Sequence, residues 1–456
     1  MHRAAAAGAG AAKTADVVII GAGVIGCTLA LELSRSAAWR GRKIVVLDSN
    51  PGPGVGTTSY SSGIIRTFYS VPETTRIAWE SYHRWAHWGD YLGVKDPRGM
   101  ASMRHVPALL MRSPNSAGFL DGFAAQAKKF GIGVTELSHE AAAARGALAG
   151  LDITHSYNPQ RVDDPSFGTP VAGQRVDGAL LVPDTGYVSD PQLATKNAQF
   201  AAEAAGVAFA FGSTVSAIRQ AAGRVTGVAL RDGRTIDTRL VVNAAGPYSC
   251  VITEMAFPRA SAGKTTPAND MTLTTRPLRA ECAVVDAPPG VDLDKHGVVG
   301  MDFDVGVYYR PEFGNRLLIG GLDLPCDTME YEDPHRLAEM NTNLGEQWKC
   351  HIYRMALRMT ALGIPSGARV RGVVSTYDLS DDWTPIVDGS ALAGYYMSIG
   401  TSGNCFKVAP LLGQLLTAVM DGRSTIPLSA TNGGDISATC FSRFRKPFSV
   451  SAGVLG

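Results

Sequence analysis

Gly21-Ala22-Gly23-Val24-Ile25-Gly26 and the acid Asp48, 22 residues past the last glycine, have the types and spacing to hold a nucleotide. In a G-x-G-x-x-G turn Gly21 permits the tight bend. Gly23 lets backbone approach a pyrophosphate, and Gly26 lets the following helix pack close to the preceding strand. The helix N-terminus at Val24 and Ile25 then offers N–H groups and partial positive charge to phosphates. Asp48, with Ser49 beside it, is placed to accept hydrogen bonds from a ribose. Other spacings carry less. His83 and His87 stand four apart, a metal-ligand spacing, but no acid or third histidine accompanies them. Trp79, Trp85 and Trp88 surround them, so they read as core or surface histidines and no metal is expected. Asp381-Asp382 reads as a solvated turn before Trp383 rather than a carboxylate pair. The seven cysteines are scattered, odd in number and never in C-x-x-C, which points to reduced thiols in a cytoplasm.

Such a site needs a β-α-β unit beneath it, and the pattern supplies one. Asp16–Ile20 reads as a buried strand, Cys27 to about Arg35 as an amphipathic helix, and Ile44–Leu47 as a second strand ending at Asp48. Residues 73–92 read as a helix with Ile77, Trp85 and Trp88 on its apolar side, and Gln192–Ala205 as another. Strands are expected at 207–211 and 214–218, then a hairpin, 225–230 with 234–240, around Asp232-Gly233. That hairpin feeds Val241-Val242-Asn243 and the glycine turn Ala244–Pro247. Strand-like pieces at 282–285, 305–310 and 316–320 precede a helix at 334–360, a strand at 395–399, a glycine loop at 400–404 and a helix at 408–420. The nucleotide signals therefore fall in three separate segments. Flavoproteins interleave nucleotide and substrate segments more often than nicotinamide dehydrogenases do, so the order favours FAD. A chain of 456 residues, 45% hydrophobic and 18% charged, has room for two domains. Its net charge of +1 gives no field to draw nucleic acid, and no apolar run is long enough for a membrane span.

Four blocks, in order, resemble the D-amino-acid oxidase superfamily of flavoproteins, and within it the sarcosine oxidase, pipecolate oxidase and glycine oxidase branch. They are Val18–Gly26 with Asp48, Ser61-Ser62-Gly63-Ile64-Ile65-Arg66, Val241–Pro247, and Gly400-Thr401-Ser402-Gly403-Asn404-Cys405-Phe406-Lys407. The resemblance implies an α/β fold: a Rossmann-type FAD-binding domain (16–95, 190–265 and 366–425) interleaved with an α+β substrate domain on an antiparallel sheet (96–189 and 266–365). A disordered leader, 1–15, and a tail, 426–456, flank them, with Arg443, Arg445 and Lys446 read as solvated.

The same resemblance implies that Ser61, Ser62 and Ile64 pass beside the flavin ring and that Val215 holds the adenine by its backbone. Ala245 and Gly246 would close over the flavin, and Ser402, Gly403, Asn404, Phe406 and Lys407 would run under its pyrimidine edge. Arg66 and Lys407 match two cations that hold a substrate carboxylate. Tyr309 matches a substrate-contacting tyrosine, and Arg310 either faces substrate or pairs with Glu312. Two departures stand out. The segment Gly372–Tyr377 has no cysteine for a covalent flavin link, so FAD is expected to be non-covalent; Cys405, near the ring, reads as a small buried side chain. Leu318 stands where family oxidases carry the lysine that promotes oxygen reduction, which raises the standing of a dehydrogenase. The expected activity is oxidation of the C–N bond of a carboxylated amine, an N-substituted glycine or another amino acid, by hydride transfer to flavin N5. The acceptor would be oxygen or another molecule. A tailoring dehydrogenase acting on an unusual C–N or N–N bond is the alternative, given Gly63 and Asn404 in place of more basic residues. A flavin-binding electron-transfer subunit of a complex is a third reading.

Overall fold

The computed structural model describes residues 13–257, 274–432 and 434–444. Its first sheet forms where the sequence is apolar on both faces. Strand β1 (Val17–Ile20) lies between β2 (Ile44–Leu47) and Val241–Asn243, all parallel, with every residue buried. The order across this sheet is 386–389, 395–399, 241–243, β1, β2, 208–210, with Ile386–Gly389 the antiparallel edge. Continuous burial on two faces is the mark of a parallel sheet covered by helices. Helix α1 (Val24–Arg35) packs on one face between the helices Pro191–Ala204 and Ala409–Met420. A Cβ on Gly413 would stand 3.2 Å from the Leu29 backbone, so the last helix approaches α1 closely.

The second sheet has eight strands in the order 372–380, 275–286, 316–321, 307–312, 299–302, 108–112, 178–182, 135–138. Its pairs are antiparallel except Val299–Asp302 with Ala108–Arg112. Its two faces feed different cores. Cys282, Met301, Tyr308, Leu318 and Leu322 pack toward the nucleotide side. Ala283, Val285, Tyr309, Leu317 and Ile319 pack away from it, against Trp348, Ile352 and Met355 of the helix Glu346–Ala356. Mixed α/β architecture with one parallel and one antiparallel sheet is the fold class expected.

Three local expectations need correction. The helix expected at 334–360 is one only over Glu346–Ala356, after a 3-10 turn at Leu337–Glu339. Arg279 takes the carbonyls of Asn341 and Asn343, the latter at 2.8 Å, and Glu281 accepts from Gly345 N (2.8 Å) and Trp348 N (3.0 Å). A strand carboxylate thus sets the helix start. The helix expected at 73–92 breaks at His87 into α2 (Pro72–Ala86) and Trp88–Leu92. Arg443 is not solvated: it pairs with Asp388 at 3.1 Å and donates to Gly389 O at 2.9 Å. Arg445 and Lys446 lie outside the described residues, as do residues 1–12. Ala15 N donates to Asp237 O at 2.9 Å. Among the described residues no helix is long and apolar enough to cross a membrane.

Candidate active site

The glycine turn is packed as its spacing demands. A Cβ on Gly26 would fall 1.9 Å from Gly21 O, and one on Gly21, at φ +110°, would fall 2.2 Å from Ala244 O. No side chain caps the helix at Gly23, while Thr58 Oγ1 accepts from Val24 N at 3.2 Å. Asp48 binds the turn from β2: Ala22 N donates to Oδ2 at 2.7 Å and Asn50 N to Oδ1 at 2.8 Å, and Ser49 is exposed beside it. Ser213 N donates to Asp48 O at 2.8 Å, which brings Val215 to the same end of the sheet. Ala245 N donates to Asn243 Oδ1, and Gly246, at φ +57°, faces Thr57.

Below this cradle a cavity opens toward the second sheet. It is lined by Ser62, Ile64, Arg66, Gly403, Asn404 and Lys407 from the expected set, and by Val299, Met301, Tyr308 and Tyr377, which sequence reasoning missed. Arg66 is buried; its guanidinium donates to Phe68 O and lies 3.9 Å over the Tyr69 ring. Lys407 is buried too, and its Nζ donates to Asn404 O at 2.8 Å. Tyr69 Oη donates to the same carbonyl at 3.3 Å. Burial lowers the pKa of both cations. For Lys407, pushed well below the usual lysine range, the positive Arg66 adds to the effect. Helix α2 holds Lys407 in place: Ser81 Oγ (2.5 Å) and Trp85 Nε1 (2.8 Å) both donate to its carbonyl, and Trp85 stacks on Phe406 with centroids 4.9 Å apart.

Other expected residues take other places. Tyr309 does not reach the cavity; it is 1% exposed on the far face, and Tyr308 occupies the near one. Successive strand residues face opposite ways. Tyr308 pairs with Gly320 and Arg310 with Leu318, so Leu318 shares a face with Tyr308, not Tyr309. That parity was the available signal. Arg310 pairs with Glu312 at 3.0 Å and donates to Ser62 O at 2.7 Å. It braces the loop before Ile64 against the sheet. Ser402 is fully buried, its hydroxyl accepting from Ser380 N and donating to Gly400 O, so it builds the glycine loop. Asp381 is exposed and accepts from Thr274, whereas Asp382 is buried and accepts from Ser380 Oγ and Thr384 N, so the two do not act as a pair. Tyr308 Oη lies 3.2 Å from Cys282 Sγ and hydrogen-bonds Tyr377; burial raises both phenols.

The family model described as FAD dependent oxidoreductase matches residues 16–419. The chain belongs to this family. A D-amino acid dehydrogenase of Cereibacter sphaeroides is 22% identical over 90% of this chain and 92% of its own length. In fold, the flavoenzyme is similar to L-proline dehydrogenase from P. horikoshii (TM-score 0.70, 19% identity, 92% of this chain and 96% of that one). It is also similar to glycine oxidase from Geobacillus kaustophilus (TM-score 0.67, 18% identity, 95% and 99%). FAD is the cofactor of this flavoenzyme, and its residues fit one. Gly21 and Gly26 are held by backbone packing, whereas a Cβ on Gly23 would meet only Thr58 Oγ1, at 3.2 Å, so the turn keeps open backbone at Gly23 for a diphosphate at the helix start.

Proposed function

We propose that this flavoenzyme oxidises the C–N bond of a small carboxylated amine. The observation that carries the reading is the convergence of two buried cations, Arg66 and Lys407, on a cavity whose other walls include Ile64, Val299 and Met301. Two like charges lining one small cavity draw an anion into it. A carboxylate suits both: the guanidinium accepts it as a planar fork and the ammonium as a point charge. The amine end of such a ligand then extends toward Tyr308 and Tyr377. Bound FAD supplies the hydride acceptor. The chain's own part is to hold the substrate's α-carbon still and to keep water from the cavity. Positive charge from Arg66 and Lys407 also lowers the pKa of a bound amine, favouring the neutral form from which hydride leaves.

The flavin is held without a covalent bond, through the 21–26 turn, Asp48, the 61–64 segment, Val215, 245–246 and the 402–407 loop. The electron acceptor is a molecule other than oxygen, a reading supported by Leu318 on the cavity face. All seven cysteines are free thiols, which supports a reducing compartment such as the cytoplasm. Anaerobic mixing with N-methyl, cyclic, D- and L-amino acids tests the reaction. Bleaching of the yellow flavin by one carboxylated amine is expected, and loss of that bleaching in Arg66→Ala. If nothing on the panel bleaches a yellow protein, the amine reading is wrong and the unusual C–N or N–N substrate takes its place.

A further inference from the structure

Tyr69 follows the short strand Ile64–Ile65, where the chain runs past Arg66 toward helix α2. It is fully buried and lies outside the cavity lining, yet both cavity cations come to its ring. The Arg66 guanidinium carbon stands 3.9 Å from the ring centroid, and Lys407 Nζ stands 5.9 Å from it. The Tyr69 hydroxyl donates to Asn404 O at 3.3 Å, and Lys407 Nζ donates to that same carbonyl at 2.8 Å. One side chain therefore meets the Arg66 segment through its ring and the Lys407 loop through its hydroxyl. Helix α2 ties both segments down. Its Thr75 Oγ1 donates to the Tyr69 carbonyl at 3.3 Å, and its Ser81 and Trp85 donate to the Lys407 carbonyl.

We propose that Tyr69 is a positioning residue for the substrate carboxylate: its neutral ring is a shared seat that holds Arg66 and Lys407 at one cavity and leaves their charge to a bound anion. The proposal rests on the function proposed above. Like charges repel more strongly where water is scarce, so two buried cations at one cavity need something to keep them there. An aromatic face attracts a cation through its quadrupole, and the attraction grows when the cation is desolvated. A carboxylate in that place would also hold them, but it would answer their charge inside the chain. Burial raises the pKa of the Tyr69 phenol against the pull of Arg66, so the seat stays neutral.

The two distances rank the two contacts. Arg66 lies well inside the reach of about 6 Å over which a ring attracts a cation, and Lys407 lies at its limit. The ring therefore acts mainly through Arg66. The hydroxyl acts through the Asn404 carbonyl that Lys407 shares.

The test uses the FAD-loaded protein and propionate, a carboxylate without nitrogen, titrated against the flavin spectrum. Tyr69→Phe removes only the hydroxyl and should weaken propionate about 3-fold. The same phenylalanine ring carrying one, two and then three fluorines loses its quadrupole in steps at nearly constant shape. Affinity should fall with each step, ending about 10-fold weaker than in Tyr69→Phe, as for one desolvated cation–π contact. The melting temperature should stay level along that series. Tyr69→Leu should bind propionate as weakly as the most fluorinated ring does. With the amine that bleaches the flavin, the half-saturating concentration should rise along the series by more than the maximal rate of reduction falls. Equal affinity across the series overturns the seat alone, and so does a loss of affinity that only tracks a falling melting temperature. If no carboxylate perturbs the flavin spectrum of the parent protein, the carboxylate reading falls and the seat with it. Should Tyr69→Leu not fold, the fluorine series decides on the same criteria.

Discussion

Two buried arginines on opposite faces of the eight-stranded sheet have opposite surroundings. Behind the sheet, Arg358 is fully buried between Asp302 (2.5 Å) and Asp304 (2.9 Å). Asp304 also accepts from Asn115 Nδ2, Ser156 Oγ and Tyr157 N. The charges close on each other, and the two aspartates raise the Arg358 pKa against its burial. In front of the sheet, Arg66 rests on a carbonyl and a tyrosine ring. Lys407 rests on a carbonyl with Arg66 as a like-charged neighbour, and both pKa values are lowered. The first arrangement is complete within the chain and serves the fold. The second faces a cavity, and the function proposed above puts an anionic ligand there. Burial alone does not separate a structural charge from a functional one; here the surroundings differ, two carboxylates behind the sheet and a cavity in front of it.

That contrast can be broken in graded steps. Arg358→Leu strands two buried aspartates and should destabilise the protein by about 3–5 kcal/mol, read as denaturant midpoint, with any flavin bleaching lost only through unfolding. Lys407→Met removes a desolvated cation. It should weaken carboxylate binding about 100-fold, as for loss of a buried charged contact, while leaving the melting temperature unchanged or higher. A fall in melting temperature as large as that of Arg358→Leu would erase the distinction between the two faces. Leu318→Lys puts a lysine at the position where the family resemblance implies one in oxidases and should speed reoxidation of the reduced flavin in air about 10-fold, by electrostatic stabilisation of the developing anion. Unchanged reoxidation would mean that Leu318 does not face the flavin. The smallest effect belongs to Tyr309→Phe. The Tyr309 hydroxyl is buried without a partner, so its removal should change stability by less than about 1 kcal/mol and leave bleaching intact. Tyr308→Phe should slow bleaching.

The nucleotide half was legible because its signals are local. Gly26 meets Gly21 O within one β-α-β unit, the three glycines stand in one six-residue turn, and Asp48 ends the strand that pairs with β1. The cations Arg66 and Lys407 were found through short contiguous blocks, although the glycines of those blocks pack against distant residues, Gly63 on Val188 O and Gly403 on the Tyr377 ring. What stayed hidden depends on pairing across the chain. Tyr308 and Tyr309 are indistinguishable until the register against 316–321 is known. Tyr377 lies 69 residues further along, on the edge strand, and meets Tyr308 only across the sheet. The over-long helix at 334–360 failed for the same reason: a strand carboxylate, Glu281, decides where it starts.

Arg310 carries a last consequence. One guanidinium touches the Ser62 carbonyl, the Glu312 carboxylate and the face of Tyr187 at 4.2 Å. It therefore gauges the gap between the Ser62 loop and the eight-stranded sheet beside the cavity. Enlarging the cavity for a bulkier amine by altering Tyr308 or Met301 alone would widen one wall of a box whose height is still set elsewhere. Engineering of such a pocket should treat Arg310 and Glu312 as one adjustable spacer, changed together or left alone.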